Sequence, residues 1–296
     1  MSPDLRQLRY FVTVAEELHF GRAAERLHMT QPPLSHAIAA LEELLGVALF
    51  VRDRRGVALT APGAVLLPEA RRLLAAAADL PALARRAAEG EKGRLSLSFV
   101  SSADYSILPD FLRKYRARYP EVELTLREST SDVQVDDLQH GRIDCGMLIP
   151  PLPASARDVL DYLPLLSEPL ILATPAGTPG DTRPVWLKNA PRLPLIIFPR
   201  EASPALHDAI LSCFAAAGIT PTIGQQALQM QTIVSLVSSG MGLALVPHSV
   251  SNLMRRGVEY RPLRDPVPHV ETGISWRRDN DSPVLKGFLD LLRKKR

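Results

Sequence analysis

The sequence predicts a mixed α/β chain built from an N-terminal winged helix-turn-helix, a linker helix and a C-terminal domain of two lobes. Three observations predict this architecture. Apolar side chains recur at helical spacing through the first 45 residues. A charged turn then separates two short extended runs within residues 48–60, which is typical of a β-hairpin. From Arg94 onward, strand patterns alternate with helix patterns, as they do in α/β folds.

The length of the chain supports a division into several domains. A chain of 296 residues is too long for one compact core and suits two or three domains. We expect the winged helix-turn-helix at residues 1–60, the linker helix at 61–90 and the two-lobed domain at 91–296. The expected first lobe covers about 93–163 and 269–296, and the second about 164–268.

Composition excludes several protein classes. The N-terminus has charges in its first turns and no long apolar stretch, so we predict no secretory signal. The longest largely apolar stretch, residues 232–246, is too short to span a bilayer. Only Cys145 and Cys213 are present, which argues against a disulfide scaffold. We therefore expect a cytoplasmic protein without a transmembrane segment.

The N-terminal module is expected to contain three helices. The first follows the apolar spacing from Leu5 to Leu18, and the second covers 22–27 after a break at 19–21. Thr30 is expected to cap the third helix with its hydroxyl, and Pro32 and Pro33 are tolerated in a first turn. Gly46 is expected to end that helix.

A hairpin and a long helix follow. Residues 48–60 read as two short strands around a charged turn that ends at Gly56. Thr60 is expected to cap an alanine- and leucine-rich helix that extends to about Gly90. Pro68 and Pro81 should bend or interrupt it. Its apolar positions suit packing against another helix.

The C-terminal region contains two roughly equal sets of α/β elements. Such alternation favours parallel sheets in two lobes with a cleft between them, and we expect the chain to cross near 162–166 and near 265–269. The expected strands are 95–100, 122–128, 143–149, 169–173, 195–198, 243–246 and 271–276. The expected helices are 108–119, 132–140, 204–217, 232–240 and 282–293.

Two short helices joined by a tight turn form a helix-turn-helix, whose second helix enters the DNA major groove with its first turn. The polar side chains of that turn can bond base edges, while arginines on the hairpin meet phosphates or the minor groove. Double-stranded DNA is therefore the predicted partner. The candidate DNA-binding residues are Thr30, Gln31, Pro32, Ser35, His36, Arg52, Arg54, Arg55 and Arg22.

Bulk charge does not decide this point. The chain has a net charge of +3, but residues 1–60 contain seven basic and seven acidic side chains. Three helices with a hairpin also occur in protein-interaction modules, and arginines on a turn are usually only solvated. The position of the polar residues carries the DNA-binding hypothesis.

The N-terminal segment resembles the LysR family of bacterial transcriptional regulators. The matching motifs are LRYFV at 8–12, FGRAAERL at 20–27, TQPPLS at 30–35, LEELLG at 41–46, LFVR at 49–52 and LT at 59–60. The resemblance covers nearly all of the first 63 residues with family spacing. It departs at Gly21, where a Ser or Thr often caps the second helix, and at His36, where Arg is common.

The resemblance has implications for assembly and partners. It implies a linker helix that pairs subunits, a homotetramer built as a dimer of dimers, and an imperfect palindrome as the DNA target. It also implies a C-terminal domain similar to periplasmic binding proteins, whose small-molecule effector changes DNA bending or binding. RNA polymerase is open as a further partner. An effect of ligand on DNA requires different affinities for the two arrangements.

Helix starts and strand ends indicate where the effector binds. Ligands of such folds bind at the carboxyl ends of strands, where helix N-termini offer N–H groups to anions. The candidates by position are Ser101, Ser102, Thr130, Ser131, Ser203 and Thr232. A single serine at a helix start is usually only a cap. Several such positions at one cleft favour a carboxylate ligand.

Part of the sequence is similar to the branch of the family that senses aromatic acids. The similarity rests on FGRAA at 20–24 and on FPR at 198–200 with Pro204. By that resemblance, the pocket is lined by Ser102, Ser131, Pro199, Ser203 and Gln229. Ile149 replaces an arginine of some aromatic-acid sensors, which argues against a dicarboxylate.

Other functions receive less support from the sequence. Cys145 and Cys213 raise the alternative of a redox sensor, but they fall in different lobes, and buried cysteines usually act as small apolar residues. The histidines lack metal spacing, and the chain has no nucleophile elbow or phosphate loop. We therefore predict no enzyme activity, no cofactor and no metal. A transport binding protein is opposed by the N-terminal module.

Overall fold

The computed structural model describes residues 2–53, 56–178 and 184–293. The chain divides into two compact units, Met1–Arg85 and Arg86–Arg296. We call the first the head and the second the sensor, and each is described by itself. Within the described ranges, no helix is long and apolar enough to cross a membrane.

The head contains three helices, a hairpin and most of a long helix. Its elements are α1 (Leu5–Glu17), α2 (Phe20–Arg26), α3 (Gln31–Leu45), β1 (Phe50–Asp53), β2 (Gly56–Leu59) and α4 (Ala61–Ala88). Strands β1 and β2 pair antiparallel, with Phe50 opposite Leu59. Phe11, Leu34, Ile38 and Leu41 are fully buried in the core between the helices. The predicted winged helix-turn-helix is confirmed.

The start of α2 corrects one prediction. The helix begins at Phe20, two residues earlier than expected, so Gly21 lies inside it. His19 is the N-cap, and its Nδ1 accepts the N–H of Arg22 at 3.2 Å. An imidazole nitrogen can therefore do the work of the Ser or Thr that the family pattern places at the cap.

The linker helix also differs from its prediction. Thr60 caps α4 as expected, because its Oγ1 accepts the N–H of Gly63 at 3.1 Å and donates to the Ala48 carbonyl at 2.7 Å. Pro68 and Pro81 do not interrupt the helix, which continues through both of them over 28 residues.

The sensor contains α/β elements in two lobes. In chain order, they are β3 (Lys92–Phe99), α5 (Ser101–Asp104), α6 (Leu108–Arg118), β4 (Glu121–Glu128), α7 (Ser131–Gln139), β5 (Cys145–Leu148), β6 (Leu160–Pro175), β7 (Leu195–Ile197), α8 (Pro204–Ala216), β8 (Ile223–Gln226), α9 (Met230–Ser238), β9 (Ala244–Pro247), β10 (Val258–Pro262), β11 (His269–Arg277) and α10 (Pro283–Arg293).

The sheets are mixed rather than parallel. In the first lobe, β3 pairs parallel with β4 and β5, whereas β11 pairs antiparallel with β5 and β6. In the second lobe, β6 pairs antiparallel with β9 and β10, and β7 pairs parallel with β8. The expectation of parallel sheets is therefore correct only in part, because β11 runs antiparallel to β5 and β6 in the first lobe, and β6 runs antiparallel to β9 and β10 in the second.

Strand β6 joins the lobes as one continuous strand. Residues Leu160 to Pro169 pair with β11, and Ile171 to Pro175 pair with β10. The first passage therefore lies near 169–170, a few residues beyond the predicted 162–166. The return lies between β10 and β11, in the predicted region. The chain therefore passes between the lobes at these two places.

Candidate DNA interface and ligand cavity

Helix α3 presents one apolar face and one polar face. Leu34, Ile38 and Leu41 are buried in the head. Gln31, Pro32 and His36 are exposed, and Ser35 is half-buried. The polar side chains of the first turn are therefore available to a duplex.

The N-terminus of α3 is not capped by a side chain, which corrects the prediction for Thr30. Thr30 occupies the N-cap position with extended backbone, but its hydroxyl makes no capping hydrogen bond. An N-cap side chain normally accepts the N–H of the second or third helical residue. Here those residues are Pro32 and Pro33, which have no N–H to give. The Thr30 hydroxyl thus remains at the exposed end of the helix.

The hairpin of β1 and β2, which we call the wing, carries a cation next to an aromatic ring. The Arg52 guanidinium lies 3.9 Å from the centre of the Phe20 ring. Phe20 is buried and packs edge-on against Phe50 of β1. Arg52 remains exposed, so the stacking orients its charge without hiding it. Arg54 and Arg55 lie outside the described residues.

Arg22 is already engaged within the head. Its guanidinium donates to the Glu17 carbonyl at 2.6 Å and lies 3.6 Å from the Glu17 carboxylate. The Arg22 side chain is still 62% exposed. A phosphate contact by Arg22 would therefore have to compete with Glu17, whereas the described partner of Arg52 is uncharged.

The sensor contains a partly open cavity of about 160 Å³ in the cleft, which we call the inner cavity. Six of the predicted effector-binding residues line it. They are Ser101, Ser102, Thr130, Ser131, Ser203 and Gln229. The remaining lining is mainly apolar and was not predicted, apart from Ile149. It consists of Val100, Glu128, Ser129, Ile149, Phe198, Ala202, Leu206, Leu228 and Met230.

Two predicted residues do not line the inner cavity. Thr232 was placed at a helix start, but α9 begins at Met230, so Thr232 falls on an exposed face. Pro199 lies in a turn, where its carbonyl accepts the N–H of Ala202. The cavity is reached instead by Phe198 on one side of that turn and by Ala202 on the other.

Three helices begin at the inner cavity without a side-chain cap. The N-caps of α7, α8 and α9 are Thr130, Ser203 and Gln229, and none of them accepts a capping hydrogen bond. Helix N-termini carry unpaired N–H groups and partial positive charge. The cavity therefore offers N–H groups to an anionic group at these helix starts, although the charged residue among its described lining residues is the acidic Glu128.

Two buried hydroxyls at the inner cavity lack partners. Neither Ser102 Oγ nor Ser129 Oγ makes a hydrogen bond, although both atoms are buried. Unsatisfied buried polar atoms are uncommon in folded proteins. Ser131 Oγ, in contrast, accepts the N–H of Ile149 at 3.1 Å, and Ser101 Oγ donates to Glu128 at 2.5 Å. Ser102 and Ser129 are thus the hydroxyls with unused hydrogen-bonding capacity.

Glu128 is the charged residue of the inner cavity, and its field reaches the neighbouring helix. Burial raises the pKa of Asp104, and the negative charge of Glu128 adds to that shift. Burial together with Glu128, Asp104 and Tyr260 raises the pKa of Tyr105 to about 12. Tyr105 therefore remains a neutral phenol at neutral pH.

A buried carboxyl group on β6 connects the cavity to the first crossing between the lobes. Glu168 of β6 accepts the N–H of Ser249 at 2.6 Å and its hydroxyl at 2.9 Å. The same hydroxyl lies 3.4 Å from the Ser102 carbonyl, across the cleft. Nearby, Asn252 Nδ2 donates to the Tyr105 carbonyl at 2.8 Å. These contacts connect the second lobe to the helix that carries Ser102.

A larger chamber of about 540 Å³ lies beside the inner cavity and shares four of its residues, Ser131, Ile149, Ala202 and Ser203. This outer chamber includes Asp132, Arg157, Glu201 and Asp208. Of these, Asp208 is paired with Arg200 at 2.9 Å. The outer chamber therefore has more charged lining residues than the inner cavity, although both linings are mainly apolar.

The cysteines and histidines do not form a reactive centre in the part of the chain that the structure describes. Burial raises the pKa of Cys145 well above its ordinary value and that of Cys213 to about 11. Both thiols are buried and protonated at neutral pH, which argues against thiolate redox chemistry. No group of metal-binding side chains occurs among the described residues.

Comparison with known proteins agrees with this geometry. Residues 5–64 match the model of the bacterial regulatory helix-turn-helix protein, lysR family, and residues 88–296 match the LysR substrate binding domain. The chain is 51% identical over 289 residues to the HTH-type transcriptional regulator IlvR of Caulobacter vibrioides, covering 98% of this chain and 97% of that protein. It is 32% identical over 293 residues to the Hca operon transcriptional activator HcaR of Escherichia coli, covering 99% and 98%.

Solved structures give the same result. The crystal structure of CbnR, a LysR family transcriptional regulator, has a TM-score of 0.75 at 31% identity and covers 98% of this chain and 100% of CbnR. Full-length CbnR complexed with its target DNA has a TM-score of 0.76 at 30% identity and covers 99% of each chain. The chain belongs to the LysR family and is a DNA-binding transcriptional regulator with an effector-binding domain, not an enzyme.

Proposed function

We propose that this regulator senses a small organic acid with one carboxylate, aromatic or of similar size, and that the ligand changes how it binds or bends DNA. The observation that carries this proposal is the inner cavity. Its volume of about 160 Å³ is close to that of an engineered apolar cavity of about 150 Å³ known to bind benzene. Its apolar lining suits one ring or a branched alkyl group.

The polar end of the cavity supports a carboxylate. Three helix N-termini without side-chain caps and the hydroxyls of Ser102 and Ser129 offer donors to its oxygens. At the position where some aromatic-acid sensors carry an arginine, this chain has Ile149, and no described lining residue is a cation that could pair with a second carboxylate. A monocarboxylate therefore fits better than a dicarboxylate.

Calorimetry tests the ligand class with three matched compounds: benzoate, its neutral analogue benzamide, and the dicarboxylate terephthalate. We expect the wild type to bind benzoate more tightly than either of the other two. Ser102→Ala should weaken benzoate binding by about five- to tenfold, the typical effect of one hydrogen bond. Ser106→Ala is the control, because its hydroxyl donates to the Ser102 carbonyl outside the cavity. Equal binding of benzoate and benzamide would remove the carboxylate from the proposal.

We also propose how the head reads DNA. Thr30, Gln31, Pro32, Ser35 and His36 would meet the major groove, and Arg52 would meet a phosphate. Their exposure and the uncapped start of α3 support this assignment. Arg22 is a weaker candidate because it is paired with Glu17.

The linker helix supports a further part of the proposal, the assembly into a dimer of dimers. Three apolar side chains of α4 are largely exposed within the head: Val65 at 73%, Leu73 at 50% and Leu80 at 59%. Apolar residues exposed along one helix are suited to pairing with a second helix. Light scattering of the wild type and of Leu73→Lys with Leu80→Lys tests this, and an unchanged mass would contradict helix pairing.

A further inference from the structure

The last turn of α3 contains an acidic side chain where helix electrostatics disfavours one. It lies next to residues 46–50, which lead into the wing and which we call the junction. Glu42 and Glu43 both lie in the last turn of α3, where the helix dipole favours cations. Glu43 is exposed to solvent, whereas Glu42 is half-buried. A residue that violates a local preference often has a compensating contact. The surroundings of Glu42 provide one.

Several backbone N–H groups after α3 donate to Glu42, including that of Gly46, which bonds the Glu42 carbonyl. The same carbonyl accepts the N–H of Val47 at 3.2 Å. The Glu42 carboxylate oxygen Oε1 accepts the N–H of Leu49 at 2.7 Å and that of Phe50 at 3.1 Å. Leu49 and Phe50 are both buried, so these two N–H groups would be left without a partner if the Glu42 side chain were removed.

Strand β1 connects the residue that Glu42 holds, Phe50, to the exposed cation of the wing, Arg52. Phe50 is the first residue of β1, and Arg52 follows two positions later on the same face of the strand. Phe50 packs against Phe11 and Phe20, and Arg52 stacks on Phe20. The other side of the junction is bonded to Thr60, whose N–H donates to the Leu49 carbonyl at 2.9 Å. The hydrogen bonds at Leu49 and Phe50 thus hold the wing at a set distance from α3.

We propose that Glu42 is a positioning residue for DNA binding, which holds the wing at the distance from α3 that lets Arg52 and the first turn of α3 contact one duplex together. This inference rests on the proposed phosphate contact of Arg52. It makes a prediction of unusual sign. Removing an acidic side chain near DNA ordinarily strengthens binding, but truncating Glu42 should weaken it, because the N–H groups of Leu49 and Phe50 lose their acceptor oxygen.

The test measures binding of the full-length chain to a fluorescent random-sequence 40-base-pair duplex across a KCl titration. Glu42→Ala should weaken binding about five- to tenfold at 50 mM KCl. It should also make the slope of log affinity against log salt shallower by about one, the share of one phosphate contact. Glu43→Ala, which removes the same charge from the neighbouring exposed position, should bind as well as wild type or better. Glu42→Ala that behaves like Glu43→Ala overturns the proposal.

Two further variants separate the possible failures. Glu42→Gln loses the charge but keeps one carbonyl oxygen, and a single oxygen accepts both N–H groups in the wild type. It should therefore bind DNA like wild type, and a loss equal to that of Glu42→Ala overturns the positioning role. Arg52→Ala should flatten the slope by about one. If it does not, the wing contact fails and the inference falls with it. If only Arg52→Ala flattens the slope, the DNA contact stands and the role of Glu42 fails.

Hydrogen exchange gives a measurement that does not depend on DNA. In the wild type, the amides of Leu49 and Phe50 should exchange slowly, and Glu42→Gln should preserve most of that protection. Should Glu42→Ala fail to fold, this measurement and the DNA binding of Glu42→Gln decide the question. Unprotected amides at Leu49 and Phe50 in the wild type would overturn the proposal.

Discussion

The head and the sensor both contain helices that begin without a side-chain cap, but the surroundings of those helix ends differ. In the head, the start of α3 is exposed, with Gln31 and Pro32 open to solvent. In the sensor, α7, α8 and α9 begin at a small, mainly apolar cavity with buried hydroxyls. An exposed end acts in high dielectric and is screened by salt, whereas a partly enclosed end acts over short distances with less screening. The start of α3 has prolines at its second and third positions and offers exposed polar side chains, whereas the three helix starts of the sensor adjoin a cavity.

Salt should separate the two regions most strongly. DNA binding by the head releases counterions, so its affinity should fall by about a thousandfold between 50 and 200 mM KCl if six or more phosphates are contacted. Benzoate binding by the sensor should change by less than about threefold, because benzoate carries a single charge and its site is partly shielded from salt. Anisotropy for DNA and calorimetry for benzoate measure both on one preparation. Equally steep salt dependence would contradict a site that is partly shielded from salt.

Gln31→Ala should have the next largest effect and should be confined to the head. A glutamine that bonds both edge groups of adenine contributes about 1–3 kcal/mol of discrimination at one base position. We expect selection from a random DNA library to return a site that has lost its preference at that position. Gln226→Ala, an exposed glutamine of the sensor, is the control. An unchanged selected site would exclude a base contact by Gln31.

Arg52→Ala should affect all DNA sequences alike. Its guanidinium is exposed and stacked on Phe20, so its loss should remove one phosphate contact and reduce the salt slope by about 0.9. Arg22→Ala should produce a smaller change, because Glu17 already neutralises part of its charge. A salt slope identical to wild type would remove Arg52 from the interface.

The smallest expected effect concerns a carboxylate of the sensor. Burial raises the pKa of Glu168 above its ordinary value of 4.5, although hydrogen bonds from Ser249 oppose the shift. The folded state therefore binds this proton more tightly than the unfolded state. The corresponding stability is fully present below the ordinary pKa and is lost as pH rises through the raised value. Glu168→Gln, which resembles the protonated form, should gain thermal stability relative to wild type across that interval.

Thermal unfolding between pH 4.5 and 8 checks this expectation. Glu89→Gln, which makes the same substitution at an exposed position, is the control. A flat difference from wild type for Glu168→Gln would mean that Glu168 has the same proton affinity in the folded and unfolded states.

The elements of the head could be predicted within a few residues because their signals are local. Apolar spacing gave α1 and α3, and the charged turn gave the wing. The errors arose at helix starts. The side chain of Thr30 fits the cap rule, but the rule fails here because the second and third helical residues are prolines, which have no N–H to donate. His19 was missed because a ring nitrogen is an unusual cap.

The sensor was harder to predict because its signals are divided between distant segments. Strand β8 was missed because all four of its residues are exposed, so no apolar alternation marks it. In β6, only 169–173 was recognised, because the preceding residues are half-buried and include Pro164. The apolar lining of the inner cavity was missed for a related reason. Phe198, Leu206 and Met230 are indistinguishable in sequence from core residues.

The sequence by itself determined the family, the order of the elements and the polar residues at the helix starts, because spacing and motifs are properties of neighbouring residues. The tertiary structure alone decided which of those residues meet. It brought Ser102 of α5 and Ser129, which follows β4, to one cavity and left their hydroxyls unpaired. It also turned the Glu42 side chain onto the wing. Such contacts depend on the packing of distant segments, which no local pattern encodes.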